Sequence, residues 1–161
     1  MAAADYFLKI EGIEGESHDS KHKGEIDLTS WSWGEMNSGS HSGGGGGGAG
    51  KVVMQDFHFT MLVNKSTPKL ILACANGEHI KKATLTCRKA GKEQQEFLKY
   101  TFCDLLISSY QTGGSTGSPM ANESISFNYA KMEVEYKEQK PDGTLAGPVK
   151  AGYDLKANKA V

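Results

Sequence analysis

"ISFNYAKMEVEY", residues 125–136, is the stretch on which the fold turns. Its first half alternates with the two-residue period of a strand, placing Ile125, Phe127 and Tyr129 on one side. The apolar series then resumes at Ala130, Met132, Val134 and Tyr136, one residue out of phase. A strand that changes phase in mid-course carries a bulge or passes from one sheet to another. Such a strand belongs to a barrel or a closed sandwich rather than to a flat sheet. The fold class expected is therefore mainly β, a two-sheet β-barrel.

The neighbouring stretch 97–107 is apolar on both sides when read with the same period. Phe97, Cys103, Leu105 and Ile107 fall on one face, and Leu98, Tyr100, Phe102 and Leu106 on the other. An antiparallel strand with one wet face should alternate, so either a helix or another subunit is expected to cover the second face. Further strands are expected near 5–12, 25–36, 52–63, 81–90, 95–112, 122–138 and 149–156. Polar residues 12–24, "GGSTGSP" at 113–119 and Pro141-Asp142-Gly143 separate them as turns and loops. One segment breaks the pattern. In "NKSTPKLILACANG", residues 64–77, Ser66 or Thr67 suits a helix N-cap, Pro68 the first turn and Gly77 the left-handed end. The spacing predicts one short α-helix that buries Leu70, Ile71 and Cys74.

Eight of the 20 glycines lie from Gly39 to Gly50, seven of them in "SHSGGGGGGAGK" at 40–51. From Gly45 to Lys51 the letters approach a phosphate-binding loop, but the hydroxyl position is Val52 and a strand pattern follows where a helix is required. Nor is the run a domain linker, because the residues before it are too few to form a core of their own. It reads as an extended glycine-rich loop between two strands of a single domain spanning 1–161.

A formal net charge of −1 gives no electrostatic case for nucleic acid. No apolar run approaches the ~20 residues that span a bilayer, so no membrane insertion is expected. The start "MAAADYFLKIEG" has no basic stretch followed by an apolar one, so no signal peptide is read there. Cys74, Cys87 and Cys103 are an odd number in apolar settings, as free thiols made in a reducing compartment would be. His18, Asp19 and His22 in "SHDSKH" resemble metal ligands, but the polar segment reads as a solvated loop without a further ligand. No nucleophile motif is present, and no catalytic residue, cofactor or metal is expected. "WSWG" at 31–34 places Trp31 and Trp33 on one face of a strand and Ser30 and Ser32 on the other. The tryptophans read as core, which turns Ser32 outward. The alternative is a sugar-stacking platform, which would make the chain a monomeric β-sandwich carbohydrate-binding module.

Taken in order, several stretches resemble the Hcp family, the haemolysin-coregulated proteins of bacterial type VI secretion systems. They are "GES" with Asp19 and His22, "WSWG", "GGGGAGK" with Gln55-Asp56, "KSTP", Ala73-Cys74, "RKAG" at 88–91, "ISSYQTGGSTG" at 107–117 and "NYAK" at 128–131. The resemblance runs nearly end to end. It implies a two-sheet barrel with a helix packed on one side, assembled into a homo-hexamer around a wide channel. Such rings stack into an inner tube that a contractile sheath drives out of the cell, tipped by a spike protein. The channel can carry or stabilise small effector proteins. The resemblance also implies a place in the bacterial cytoplasm before firing and release without a signal peptide. Ser30 and Ser32 are then the candidate channel-facing residues. The candidate ring-stacking or subunit-contact loop comprises Ser38, Gly39, Ser40, His41, Gly43, Gly44, Gly45, Gly46, Gly47, Gly48, Gly50 and Lys51.

Overall fold

The structure is a computed structural model and describes residues 4–39, 51–90 and 94–161. Its elements are β1 (Ala4–Ile10), β2 (Ile26–Asp27), β3 (Ser30–Ser32), β4 (Glu35–Asn37), β5 (Val52–Met54), β6 (Phe57–Leu62), α1 (Thr67–Asn76), β7 (Ile80–Lys89), β8 (Glu96–Gly113), β9 (Asn122–Tyr136), β10 (Val149–Asp154) and β11 (Lys159–Ala160). The mainly β class with one helix is borne out. Stretches 25–36 and 52–63 are broken into shorter strands because each changes partners along its length.

All pairings between strands are antiparallel, in the order β11-β10-β9-β8-β7-β1-β2, and β6 adds to β9 and carries β3. The long strand β9 belongs to both layers. Its first part, 122–127, lies between β6 and β8, and its last part, 131–136, lies between β10 and β8. Segment 26–32 completes the circuit. Leu28 N–H donates to the Tyr6 carbonyl at 3.0 Å, on the β1 side, and Thr29 N–H donates to the Thr60 carbonyl at 2.9 Å, on the β6 side. The barrel-like wrap therefore runs through one segment that changes sheets, not through a continuous ladder.

The phase change read at Tyr129-Ala130 is real: Ile125, Phe127 and Tyr129 are buried, and Met132 is the next buried apolar residue. The partner strand bends at the same level. Asp104, beside Leu105 of the Leu105–Tyr129 pair, has a left-handed φ of 55°, and β8 slips register between Ile107 and Ser109. This corrects the reading of β8 as apolar on both sides. Phe102, Leu105 and Ile107 are all buried, so the core face jumps by three residues across Asp104. The opposite face mixes Phe97, Cys103 and Leu106 with Lys99 and Thr101, all half-buried, and α1 packs against this strand.

The core centres on Phe57, Phe59, Phe102 and Phe127, all essentially fully buried, with the Phe57 ring 5.0 Å from Phe102 and 5.1 Å from Phe127. α1 packs against β8. Pro68 sits in the first turn, Ser66 occupies the N-cap position without a side-chain cap bond, and Gly77 (φ 66°) donates its N–H to the Ala73 carbonyl. Glu123 on β9 accepts hydrogen bonds from Thr67 of the helix and Tyr110 of β8, which fixes the helix start to the sheet. The helix buries Thr67, Leu70 and Ala73, with Cys74 half-buried. Ile71 does not join them; it is 45% exposed, because the buried stripe is narrower than the spacing suggested.

Candidate channel face and assembly hairpin

Ser30 and Ser32 are exposed on β3, opposite Thr60 and His58 of β6. Those two residues pair in turn with Ser124 and Ser126 of β9. The result is one continuous polar ladder, mostly of hydroxyls, that is exposed at Ser30, Ser32, His58 and Ser124 and closes over at the buried Ser126. Ser30 Oγ lies 2.5 Å and Thr29 Oγ1 2.6 Å from Thr60 Oγ1. The bulge in β8 adds Ser108 and Ser109, each in hydrogen-bond contact with Ser126, and the Ser108 hydroxyl donates to Asp56 Oδ2 at 2.6 Å. The sequence supplied Ser30 and Ser32 but not Thr60, Ser108, Ser124 or Ser126. Finding those required the strand pairing, which brings separate alternating stretches side by side.

Beneath this face, Trp31 stacks on Phe57 at 6.2 Å and meets Tyr6 and Tyr100. Trp33 packs against Tyr100 at 5.9 Å, and its indole N–H donates to the Tyr129 hydroxyl. Both tryptophans are half-buried and packed on the core, as expected. They do not form a shared exposed platform, which removes the main support for the carbohydrate-binding reading.

Strands β4 and β5 form a two-stranded hairpin separate from the main sheet. Met36 faces Val53 across it, and both are exposed, at 60% and 57%. The base is firmly tied. Tyr129 donates its hydroxyl to the Gln55 carbonyl at 2.9 Å, and Gln55 N–H donates to the Gly34 carbonyl at 2.9 Å. Burial pushes the Tyr129 phenol up to about 12, so it remains a donor across the physiological range. Ser38, Gly39 and Lys51 of the candidate loop are exposed at the far end of this hairpin. Ser40, His41, the glycines 43–48 and Gly50 lie outside the described residues. Between the hairpin and β10 runs an open groove of about 1040 Å³, lined by Trp33, Met36, Lys51, Met54, Tyr100, Met132 and Leu155 among others.

A second cluster was missed by the sequence reading. The polar segment 14–25 is fastened to the sheet and is not a solvated loop. Arg88, 3% exposed, donates to Asp19 Oδ1 at 3.0 Å and Oδ2 at 2.7 Å, and to Asp5 Oδ2 at 3.0 Å. Its guanidinium lies 4.8 Å from the Phe7 ring centroid, and Phe7 stacks on His22 at 4.3 Å. The buried His22 contacts Glu25 through Nδ1 at 2.8 Å and Glu96 through Nε2 at 2.6 Å. The Arg88 hydrogen bonds, helped by the Lys21 backbone N–H, hold the Asp19 carboxyl down at about 2. Gly15 permits the loop to lie this close, since a Cβ there would stand 2.5 Å from the Glu25 carbonyl oxygen. Among the described residues no group of three or more His, Cys, Asp or Glu side chains is arranged to hold a metal ion. Burial pushes the Cys87 thiol up to about 12, so it is a poor nucleophile.

The chain is similar to known proteins over almost its whole length. The family described as "Type VI secretion system effector, Hcp" matches residues 7–136. Protein hcp1 of Pseudomonas aeruginosa is 49% identical over 158 residues, covering 97% of this chain and 98% of that protein. The crystal structure of Hcp1 from Salmonella typhimurium superposes with a TM-score of 0.85 at 38% identity, covering 99% of this chain and 100% of that one. The structure of a type six secretion system protein superposes with a TM-score of 0.94 at 31% identity, with the same coverage. The fold with its helix is thus shared with these proteins, and the chain belongs to the Hcp family of type VI secretion system proteins.

Proposed function

We propose that the chain, acting as one domain over 1–161, is a non-enzymatic tube protein. Six copies close into a ring around a channel, and rings stack into the inner tube of a type VI secretion system. The β4–β5 hairpin is the observation that carries this reading. An isolated domain has no use for an arm that leaves its sheet and exposes Met36 and Val53. Yet the base of that arm is held by Trp33, Tyr129 and Gln55, as a rigid grip on a neighbour would require. A head-to-tail contact that closes after a fixed rotation makes a ring, and one that does not close makes a filament.

In this reading Ser30 and Ser32 line the channel. A face rich in hydroxyls suits brief holding of small effector proteins of varied charge, because it offers hydrogen bonds without a strong field of either sign. Ser38, Gly39 and Lys51, with the glycine-rich stretch between them, reach the neighbouring subunit or the next ring. The sheath and the spike protein are the other partners. The chain resides in the bacterial cytoplasm before firing and leaves the cell with the tube. It needs no cofactor and binds no nucleic acid or membrane. Light-scattering mass across a range of concentrations tests the reading. A particle of about six subunits is expected, with tubes seen by electron microscopy at high concentration. A mass of one subunit at every concentration would overturn it.

A further inference from the structure

The large apolar side chains that remain exposed are not scattered. Among the described residues they are Met36, Val53, Leu62, Ile71, Leu72, Met120, Tyr136, Val149 and Val161. Leu62, Ile71, Leu72 and Met120 belong to β6, α1 and the turn before β9, all at the Asn122 half of β9. Tyr136 and Val149 lie at the other end of that strand, one pair beyond Val134 and Ala151, which line the groove that the Met36–Val53 hairpin overhangs; Val161 packs on the opposite face of β9, beside Gly152 and Glu133. At about 3.4 Å per residue, β9 carries these two groups on the order of 45 Å apart. The molecule has two apolar poles.

The poles differ in shape. One is convex: Pro68, Ile71, Leu72 and Ala75 recur at spacings of three, one and three, an apolar stripe along the outward side of α1. That stripe is distinct from the buried Thr67, Leu70 and Ala73. The other pole is concave. The inner face of β8, β9 and β10 continues past the core through Tyr100, Val134 and the Tyr136–Val149 pair, with the groove of about 1040 Å³ beside it. At about half exposure each such side chain presents on the order of 100 Å², so a pole offers roughly 400–500 Å². That is close to the apolar share, about 56–58%, of the roughly 800 Å² each partner buries in a standard interface.

We infer that the outward stripe of α1 in one copy seats on the corner formed by β9, β10 and the hairpin in a second copy. The inference rests on the reading that copies of this chain assemble, and it names the two surfaces that meet. Knob and groove lie at opposite ends of one chain, so the contact is head-to-tail and every copy offers one of each.

The test uses two surface variants of the full chain, Leu72→Glu on the helix and Val149→Glu on the corner, residues 60% and 70% exposed. Each is expected to keep the circular dichroism and the denaturation midpoint of an unassembled chain. Each alone should run at the mass of one subunit where the unmodified protein is assembled. Mixed in equal amounts, the variants should give two-subunit particles and nothing larger. The intact corner of Leu72→Glu can take the intact helix of Val149→Glu, while both remaining poles are blocked. Ile71→Glu repeats the helix arm of the test should Leu72→Glu fold poorly. Full-size particles formed by either variant would overturn the contact while leaving the ring reading in place. Dimers of one variant alone would show a pole meeting its own kind and would also overturn it, as would a mixture that stays at one subunit. A one-subunit mass for the unmodified protein would overturn both readings.

Discussion

Replacing Arg88 by methionine removes a 3% exposed cation that holds two carboxylates at once, Asp19 (18% exposed) and Asp5 (39%). Losing one partner of a fully buried ion pair costs about 3–5 kcal/mol. Here the carboxylates keep some water, which lowers the expected cost of Arg88→Met to about 2–3 kcal/mol. Asp19 allows an independent check. Its carboxyl is held at about 2 against an ordinary 3.8, chiefly by the Arg88 hydrogen bonds. At 1.36 kcal/mol per unit, and discounted for residual exposure, that is on the order of 1–2 kcal/mol. Because the folded-state value is depressed, this stabilisation is fully present above about pH 4 and disappears as pH falls from about 4 to about 2. Asp19→Asn should therefore cost about 1–2 kcal/mol at pH 7 and almost nothing at pH 2. Urea denaturation at one fixed protein concentration measures both, since assembly itself adds stability by mass action. With a slope near 2 kcal/mol/M, Arg88→Met should lower the midpoint by roughly 1–1.5 M. A shift below about 0.3 M, or an Asp19→Asn penalty that persists at pH 2, would refute the view that this pair fastens loop 14–25.

Trp31→Ala should lower stability by about 3 kcal/mol, because the ring it removes is packed on Phe57 and Tyr100; Ser32→Gln on the same strand should stay within about 0.5 kcal/mol. In an effector pull-down Ser32→Gln should retain less cargo, and unchanged retention would take Ser32 off the channel face. Tyr129→Phe removes the donor to Gln55 and the acceptor for Trp33, so it should cost about 1–3 kcal/mol and speed hydrogen exchange of the Gln55 amide. Exchange no faster than in the unmodified protein would mean the hairpin base is held by packing alone. Shortening glycines 43–48 to two should barely alter the folding midpoint, since loop closure changes by only about 0.6 kcal/mol per doubling of length. Rings should survive and stacking should suffer, and normal tubes with normal secretion would make the glycines a tolerated insertion.

Much of the fold was legible because alternation survives burial. The phase switch at Tyr129-Ala130 pointed to a strand shared by two layers, and β9 is that strand. The matching bend in β8 was hidden. Cys103 and Leu106 are apolar letters on either side of Asp104, so a two-residue period ran through the bend without an obvious break. A left-handed aspartate carries no signal like that of glycine. The division of 25–36 among three strands was equally hidden, because nothing in the letters says that residues 26–28 bond β1 and residues 29–32 bond β6. His22 and Asp19 were lost in a run of polar letters. Their partners, Glu96 and Arg88, lie 74 and 69 residues away, and only folding shows that the run is pinned down. Of the hydroxyls on the exposed face only Ser30 and Ser32 were legible, and the strand pairing was needed to bring Thr60, Ser108 and Ser124 beside them.

The circuit through segment 26–32 also sets a timetable during synthesis. β7 to β10 form a meander of neighbours in sequence, whereas β1 needs β7 and β6 needs β9. β1 can pair with β7 once Lys89 has been made, but until Phe127 has been made β6 can satisfy little beyond the short β3–β6 contact. At about 5–20 residues per second, the 65 residues from Leu62 to Phe127 take roughly 3–13 s to appear, and during that time Phe57 and Phe59 have no partner strand to close over them. The ribosome-bound chain is therefore at its most adhesive through the middle of translation. Slowing elongation between residues 62 and 127 should raise co-translational aggregation, and slowing it after 127 should not.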